Sequence, residues 1–290
     1  MQAKRVVGIT FALNVALCVA HFAVYFVSRS ELVLAQGADS LMDLAVGVVL
    51  LVSVRVAAQP RDDNHPFGHQ RAEPIGALVT SIFAFVLAIE VARSAAFSLS
   101  APPAARVDLP VFAVLAAKCV VKIGLLLSLL RHRALAAGAP ASQAVDATRL
   151  DTLNDVLTTA SSLVGAGLVH AGWVRCDALL ALPVALYLGK NGWELARESL
   201  RFLMGEAPAP EVLARLRVAA KVDGVLEVTK LRAHHVGATL HVEATVLIAA
   251  GSSAKQSHDV ALDVQQSLER DPLVGEAFVH LDTGEGKDGT

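Results

Sequence analysis

Two acidic pairs stand out in a chain otherwise dominated by apolar residues: Asp39 and Asp43 in Gly37-Ala-Asp39-Ser-Leu-Met-Asp43, and Asp151 and Asp155 in Asp151-Thr-Leu-Asn-Asp155. Each pair is spaced i, i+4, so on a helix its carboxylates share one face, one turn apart. Both lie in segments long and apolar enough to enter a bilayer, where one Asp at the centre costs roughly 2.5–3.5 kcal/mol and four would cost about 10 kcal/mol or more. Lys118 and Lys122 could pair with only some of them. A divalent cation held between the two segments would answer the charge, with carboxylate oxygens replacing its hydration shell. The competing reading is structural, a pair lying near a membrane face or bridged to the lysines, and finding two such pairs in two segments weighs against it. Without a cation, four carboxylates packed together cannot all stay ionised, so the empty cluster is expected to hold protons and release some when metal binds.

Two further constellations have ligand character. Asp62, His65 and His69 stand close together in a polar stretch between apolar segments, with two histidines four apart and a carboxylate beside them. Metal binding and simple loop bracing are both open there. Near the C-terminus stand His234, His235, His241, His258, His280 and Asp282, six of the chain's potential ligands. His280 and Asp282 are two apart and would share one face of a strand. Asn14 and Asn154 are expected to act chiefly as interhelical hydrogen-bond partners. Arg71 and Glu73 are expected to form structural or inter-domain ion pairs.

The elements that must position these residues follow from composition. Of 290 residues 54% are hydrophobic and only 18% charged, and the mean hydropathy is +0.53. Soluble proteins carry roughly 25% charged residues, so lipid is expected to solvate much of the surface. Six apolar stretches reach the roughly 20 residues needed to span hydrocarbon as helices. They lie near Val6–Val27, Leu32–Val56, Ile75–Phe97, Leu109–Leu130, Ala144–Val169 and Ala178–Leu200, the fifth and sixth interrupted by polar residues. The first is too long for a signal-peptide core and is read as a retained span. Lys4, Arg5, Arg55, Arg61, Arg71, Arg131, Arg133 and Arg201 gather on one side, while Arg29, Arg106 and Arg175 on the other each have an acidic neighbour. The positive-inside rule then places both termini in the cytoplasm.

After Gly205 and the Ala207-Pro-Ala-Pro210 hinge the composition becomes that of a soluble domain. Helical periodicity over Glu211–Ala220, alternation over Val225–Ala233 and Leu240–Ile248, an amphipathic Ser253–Arg270 and a last strand at Ala277–Leu281 predict an αββαβ order in a two-layer α+β domain. The expected division is 1–205 for a membrane transport domain, 206–284 for the cytoplasmic domain and 285–290 for a disordered tail. A net charge of −2 offers no field for nucleic acid. Cys18, Cys119 and Cys176 are odd in number and widely spaced, and are read as packing residues. No HExxH or GxSxG motif points to an enzyme.

Taken with Gly37-Ala-Asp39-Ser-Leu-Met-Asp43, the segment Gln59-Pro-Arg-Asp-Asp-Asn-His65-Pro-Phe-Gly-His69-Gln-Arg-Ala-Glu73 resembles the cation diffusion facilitator family, and the resemblance extends over nearly the whole chain. It implies an α-helical membrane protein with six transmembrane helices followed by a small cytoplasmic αββαβ domain. It implies a homodimer, in a bacterial inner membrane, that exports Mn²⁺, Fe²⁺, Zn²⁺ or related ions in exchange for protons by alternating access. Asp39, Asp43, Asp151 and Asp155 would form the transport site, and Asp62, His65 and His69 a site in the loop where membrane and cytoplasmic domains meet. His258, His280 and Asp282 match positions where family members bind metal between paired cytoplasmic domains. Thr245 stands where many members carry a histidine, which puts a full binuclear site in doubt, and His234 and His235 are candidates to compensate. Many zinc-transporting members resemble HxxxD on the fifth span, where this chain has Asp151. An all-oxygen site is harder and suits Mn²⁺ better than Zn²⁺. A non-transporting, metal-sensing membrane scaffold that stabilises a transporting relative is the alternative.

Overall fold

The structure, a computed structural model, describes residues 2–28, 31–100, 109–135, 142–170, 173 and 176–283. Arg29, Arg106, Arg175 and the expected tail from Gly284 lie outside the described residues. The chain divides into two compact units, the first ending at Leu200 and the second beginning at Arg201.

The first unit is a bundle of helices: α1 (Gln2–Ser28), α2 (Glu31–Ala57), α3 (Ala72–Ser100), α4 (Leu109–Leu135), α5 (Gln143–His170) and α6 (Cys176–Leu203). At 27 to 29 residues each they are roughly 40 Å long. They outrun the apolar stretches because polar residues in their end turns add length beyond a hydrocarbon core. Among the described residues four are long and apolar enough to cross a membrane: Lys4–Val27, Gln36–Ala57, Ala72–Leu99 and Phe112–Arg131. Helices α5 and α6 are interrupted by charged and hydroxyl residues. The threonines of α5 spend their hydroxyls on their own helix, Thr148 donating to Ala144 O at 2.7 Å and Thr152 to Thr148 O at 2.8 Å.

Small residues let the helices approach. A Cβ on Gly47 would lie 2.7 Å from the Phe11 ring, so α1 and α2 pack closely one turn from Asp43. The inner surfaces are polar as well as apolar. On α1 the buried stripe Thr10, Asn14, Cys18 and His21 runs at i, i+4, i+8, i+11, a single helix face.

The second unit contains α7 (Pro210–Ala219), β1 (Glu227–Val236), β2 (Thr239–Ile248), α8 (Ala254–Glu269) and β3 (Val274–Thr283), in the sheet order β1-β2-β3. The β1–β2 pair is antiparallel and closes through Gly237-Ala238, Gly237 taking φ +60°. The β2–β3 pair is parallel, which requires a crossover, and α8 supplies it. Ser253 caps α8 through a reciprocal capping box with Gln256. Leu216, Val242, Val246, Val264 and Leu268 are wholly buried in the core of this unit. Alternation then assigns His241, Thr245, Glu276, Phe278, His280 and Asp282 to the sheet's other face.

Candidate metal transport site

Helix α2 brings Asp39 and Asp43, and α5 brings Asp151, Asn154 and Asp155, to the lining of one cavity of about 40 Å³, which Phe83, Lys118 and Thr158 also border. The i, i+4 spacing puts each pair on the helix face turned to the other pair. Asp43 is 9% and Asp155 5% exposed, so neither can rely on bulk water.

Lys122 meets that need directly. Wholly buried on α4, its Nζ donates to Asp43 Oδ2 at 3.2 Å and to Asp155 Oδ2. The expectation that the lysines would answer only part of the charge is met in a specific form: one ammonium holds one carboxylate from each pair. Lys118, one turn earlier and also buried, lines the cavity without an ion pair to any of the four among the described residues. Counted as ionised, four carboxylates against the two ammonium groups of Lys118 and Lys122 leave a formal excess of two negative charges.

Asp39 also borders a larger cavity of about 290 Å³, with Gln36, Glu90, Ser94, Ser98, Ser161 and Ser162 along its wall. Asp39, Leu87 and Thr158 border both cavities. The larger one lies toward the end of the bundle where α2 begins and α3 ends, and its hydroxyls and carboxylates suit a hydrated cation.

Asn154 accepts from Asn191 Nδ2 at 3.2 Å, joining α5 to α6. Asn14 is buried, but its Oδ1 has no hydrogen-bond partner among the described residues. His21 is a site neighbour that sequence reasoning missed. It is wholly buried, with Nδ1 2.8 Å from Leu17 O and 3.1 Å from Ser40 Oγ, and with Nε2 unpartnered among the described residues. Its signal was the i, i+4, i+8, i+11 stripe rather than any ligand spacing. Glu73 departs from its expected ion-pair role. Its Oε2 accepts from Ser142 Oγ at 2.7 Å and from Ala144 N at 3.5 Å, at the N-terminus of α5, where a carboxylate favours the helix dipole.

In the loop after α2 the structure brings Asp62, His65 and His69 together, with one ligand atom from each lying within 4.8 Å of the others. Asp62 Oδ1 accepts from the backbone N–H groups of His65 at 2.7 Å and Asn64 at 3.0 Å and lies 3.1 Å from His65 Nδ1, while Oδ2 lies 3.3 Å from His69 Nε2. The His65 N–H foremost, with both imidazoles, holds the Asp62 carboxyl below its ordinary pKa. His69 Nδ1 lies 3.2 Å from Pro60 O, which fixes the ring and leaves Nε2 for a metal. Among the described residues this is the only group of three such side chains so close together.

The cytoplasmic candidates are more scattered. His234 opposes His241 across β1 and β2, and His241 Nε2 lies 3.4 Å from Glu276 Oε2 on β3. His280 opposes Thr245, and Asp282 opposes Leu247. His258 is exposed on α8. His235 packs against Phe202 with ring centroids 4.5 Å apart, and its N–H donates to Glu206 O. Burial lowers the pKa of His235, against the nearby Glu206 carboxylate that raises it.

Residues 7–204 match the cation efflux transmembrane domain and residues 209–283 the cation efflux protein cytoplasmic domain. The manganese efflux system protein MneS of Bacillus subtilis is 26% identical over 281 residues, covering 96% of this chain and 95% of that protein. The cation-efflux pump FieF of Escherichia coli is 28% identical over 288 residues, covering 97% and 93% respectively.

Proposed function

The chain belongs to the cation efflux family, and from that premise we propose that it exports a divalent transition metal, Mn²⁺ foremost with Fe²⁺ or Zn²⁺ as alternatives, in exchange for protons. It is an integral membrane transporter with a cytoplasmic domain, not an enzyme. One observation carries the reading: Asp39, Asp43, Asp151 and Asp155, from two helices, line a single cavity. The donors are oxygen only, which favours Mn²⁺ over Zn²⁺, and a relative named for manganese efflux matches over most of both chains.

Six spans with both termini in the cytoplasm agree with the loop charges and the six long helices. In that orientation the 290 Å³ cavity opens away from the cytoplasm, so the conformation is outward-facing and Asp39 is the aspartate nearest the exit. Alternating access then requires the opposite end of the bundle to open in turn. The membrane domain covers 1–205 and the cytoplasmic domain 206–284, acting in a homodimer in a bacterial inner membrane. The Asp62, His65 and His69 cluster binds a second metal. On the open sheet face His234, His280 and Asp282 are the better placed of the cytoplasmic ligands, with His258 reaching them only across protomers, and His235 serves packing.

The test is uptake into proteoliposomes under an imposed pH gradient, comparing Mn²⁺, Fe²⁺, Zn²⁺ and Cd²⁺. Gradient-driven Mn²⁺ uptake that Asp43→Ala and Asp155→Ala both abolish supports the antiporter. The Lys122 bridge is what the scaffold reading has in its favour, since a site closed permanently by an ammonium carries no metal. Folded, metal-binding protein that moves none of the four ions would establish that alternative.

A further inference from the structure

Lys122 occupies the place a metal needs. Its Nζ is held by Asp43 of α2 at 3.2 Å and by Asp155 of α5, one carboxylate from each half of the site. A cation coordinated by those oxygens would sit at about 2.0–2.2 Å from them, along directions the ammonium already uses. Two positive charges within about 4 Å repel strongly in a site with little water. The ammonium and the metal therefore exclude one another. A lysine differs from other counter-ions in being tethered: its four-carbon stem lets the charge leave the carboxylates without leaving the protein.

We propose that Lys122 is a built-in competitor for the transport site, its ammonium occupying Asp43 and Asp155 in the metal-free protein and swinging away, still charged, when the divalent cation binds. The proposal rests on the transport-site reading above and deepens it. The lysine closes the site so that the bundle can cross between its two states without metal while two of its four carboxylates keep a partner. It also sets affinity, because the apparent dissociation constant rises in inverse proportion to the fraction of time the site is open. Lys118 is the natural control. It carries the same charge on the same helix and borders the cavity that the four carboxylates line, yet it bonds to none of them among the described residues.

The test is Mn²⁺ titration of purified, metal-stripped full-length protein, following the free ion by electron paramagnetic resonance. A background carrying His65→Ala and His69→Ala removes the loop cluster from the count. Lys122→Met should tighten Mn²⁺ binding about tenfold or more, the factor for a site closed nine-tenths of the time, whereas Lys118→Met should change it less than about threefold. Lys122→Arg, which keeps the charge and adds a bidentate fork, should bind no more tightly than wild type, and it serves if Lys122→Met does not fold. Equal tightening in both methionine variants would reduce the effect to general charge and overturn the proposal. So would weaker or unchanged binding in Lys122→Met, or tighter binding in Lys122→Arg. Asp43→Asn separates the two levels: if it leaves Mn²⁺ binding intact, the transport-site reading itself fails, and if it weakens binding while Lys122→Met does not strengthen it, only the role of the lysine fails.

Discussion

Removing the Asp155 carboxylate should destabilise the membrane unit before any question of transport arises. In Asp155→Ala the Lys122 ammonium, wholly buried, keeps only Asp43 at 3.2 Å. Breaking a buried ion pair by deleting one partner costs about 3–5 kcal/mol, because the other charge stays desolvated. The surviving Asp43 bond puts Asp155→Ala at the lower end, about 3 kcal/mol. Lys122→Met leaves two carboxylates facing each other and should cost at least as much. In the double variant much of the penalty disappears with the pair, so the two single costs should exceed the double cost by about 1–3 kcal/mol. Both tryptophans, Trp173 and Trp193, lie in the membrane unit. Their fluorescence during denaturant unfolding of metal-free protein in detergent therefore reports this unit alone. Additive costs, within about 0.5 kcal/mol, would refute the bridge.

Three further outcomes follow from the same geometry. Asp151→His puts an imidazole into an all-oxygen site and should shift transport preference from Mn²⁺ toward Zn²⁺, read as the ratio of initial uptake rates in proteoliposomes; an unchanged ratio would move selectivity elsewhere. His69→Ala removes the half-buried ligand of the loop cluster and should lower the stoichiometry of tightly bound Zn²⁺ by one per chain, measured by metal analysis after gel filtration, while an unchanged stoichiometry would leave the loop a purely structural turn. His235 is neutral in the fold and has a pKa lowered by burial, so the unfolded chain binds more protons and the stability it contributes declines as pH falls below about 6.5. Hydrogen exchange of the amides around Glu206 and His235 should quicken between pH 7 and 5.5 beyond the intrinsic pH trend, and His235→Phe, which keeps the packing on Phe202, should remove that excess.

How much of this was legible in the sequence depended on whether the information was local. The paired aspartates were legible because ionised groups are conspicuous in apolar segments and i, i+4 spacing fixes a common face. The loop cluster was legible for the same reason, its three ligands lying within eight residues. Lys122 was visible as a residue but its place was not, since periodicity along α4 does not say which helices its faces will meet. His21 was passed over because a lone histidine carries no spacing signal, although Thr10, Asn14 and Cys18 mark the stripe it continues. For His234 and His235 the sequence held the answer: adjacent residues on a strand point to opposite faces, so they could not both join one site. The order of elements in the second unit was readable from alternation and periodicity, whereas the parallel β2–β3 pairing, a long-range choice, was not.

The most direct measurement is diffraction from Mn²⁺-loaded crystals at the manganese absorption edge, which locates the ion independently of any phase bias from the protein. The expected result is an anomalous peak bounded by Asp39, Asp43, Asp151 and Asp155, with the Lys122 Nζ withdrawn from Asp43 and Asp155. Manganese found only at the loop or the cytoplasmic sheet, with the Lys122 bridge intact in fully loaded protein, would contradict it.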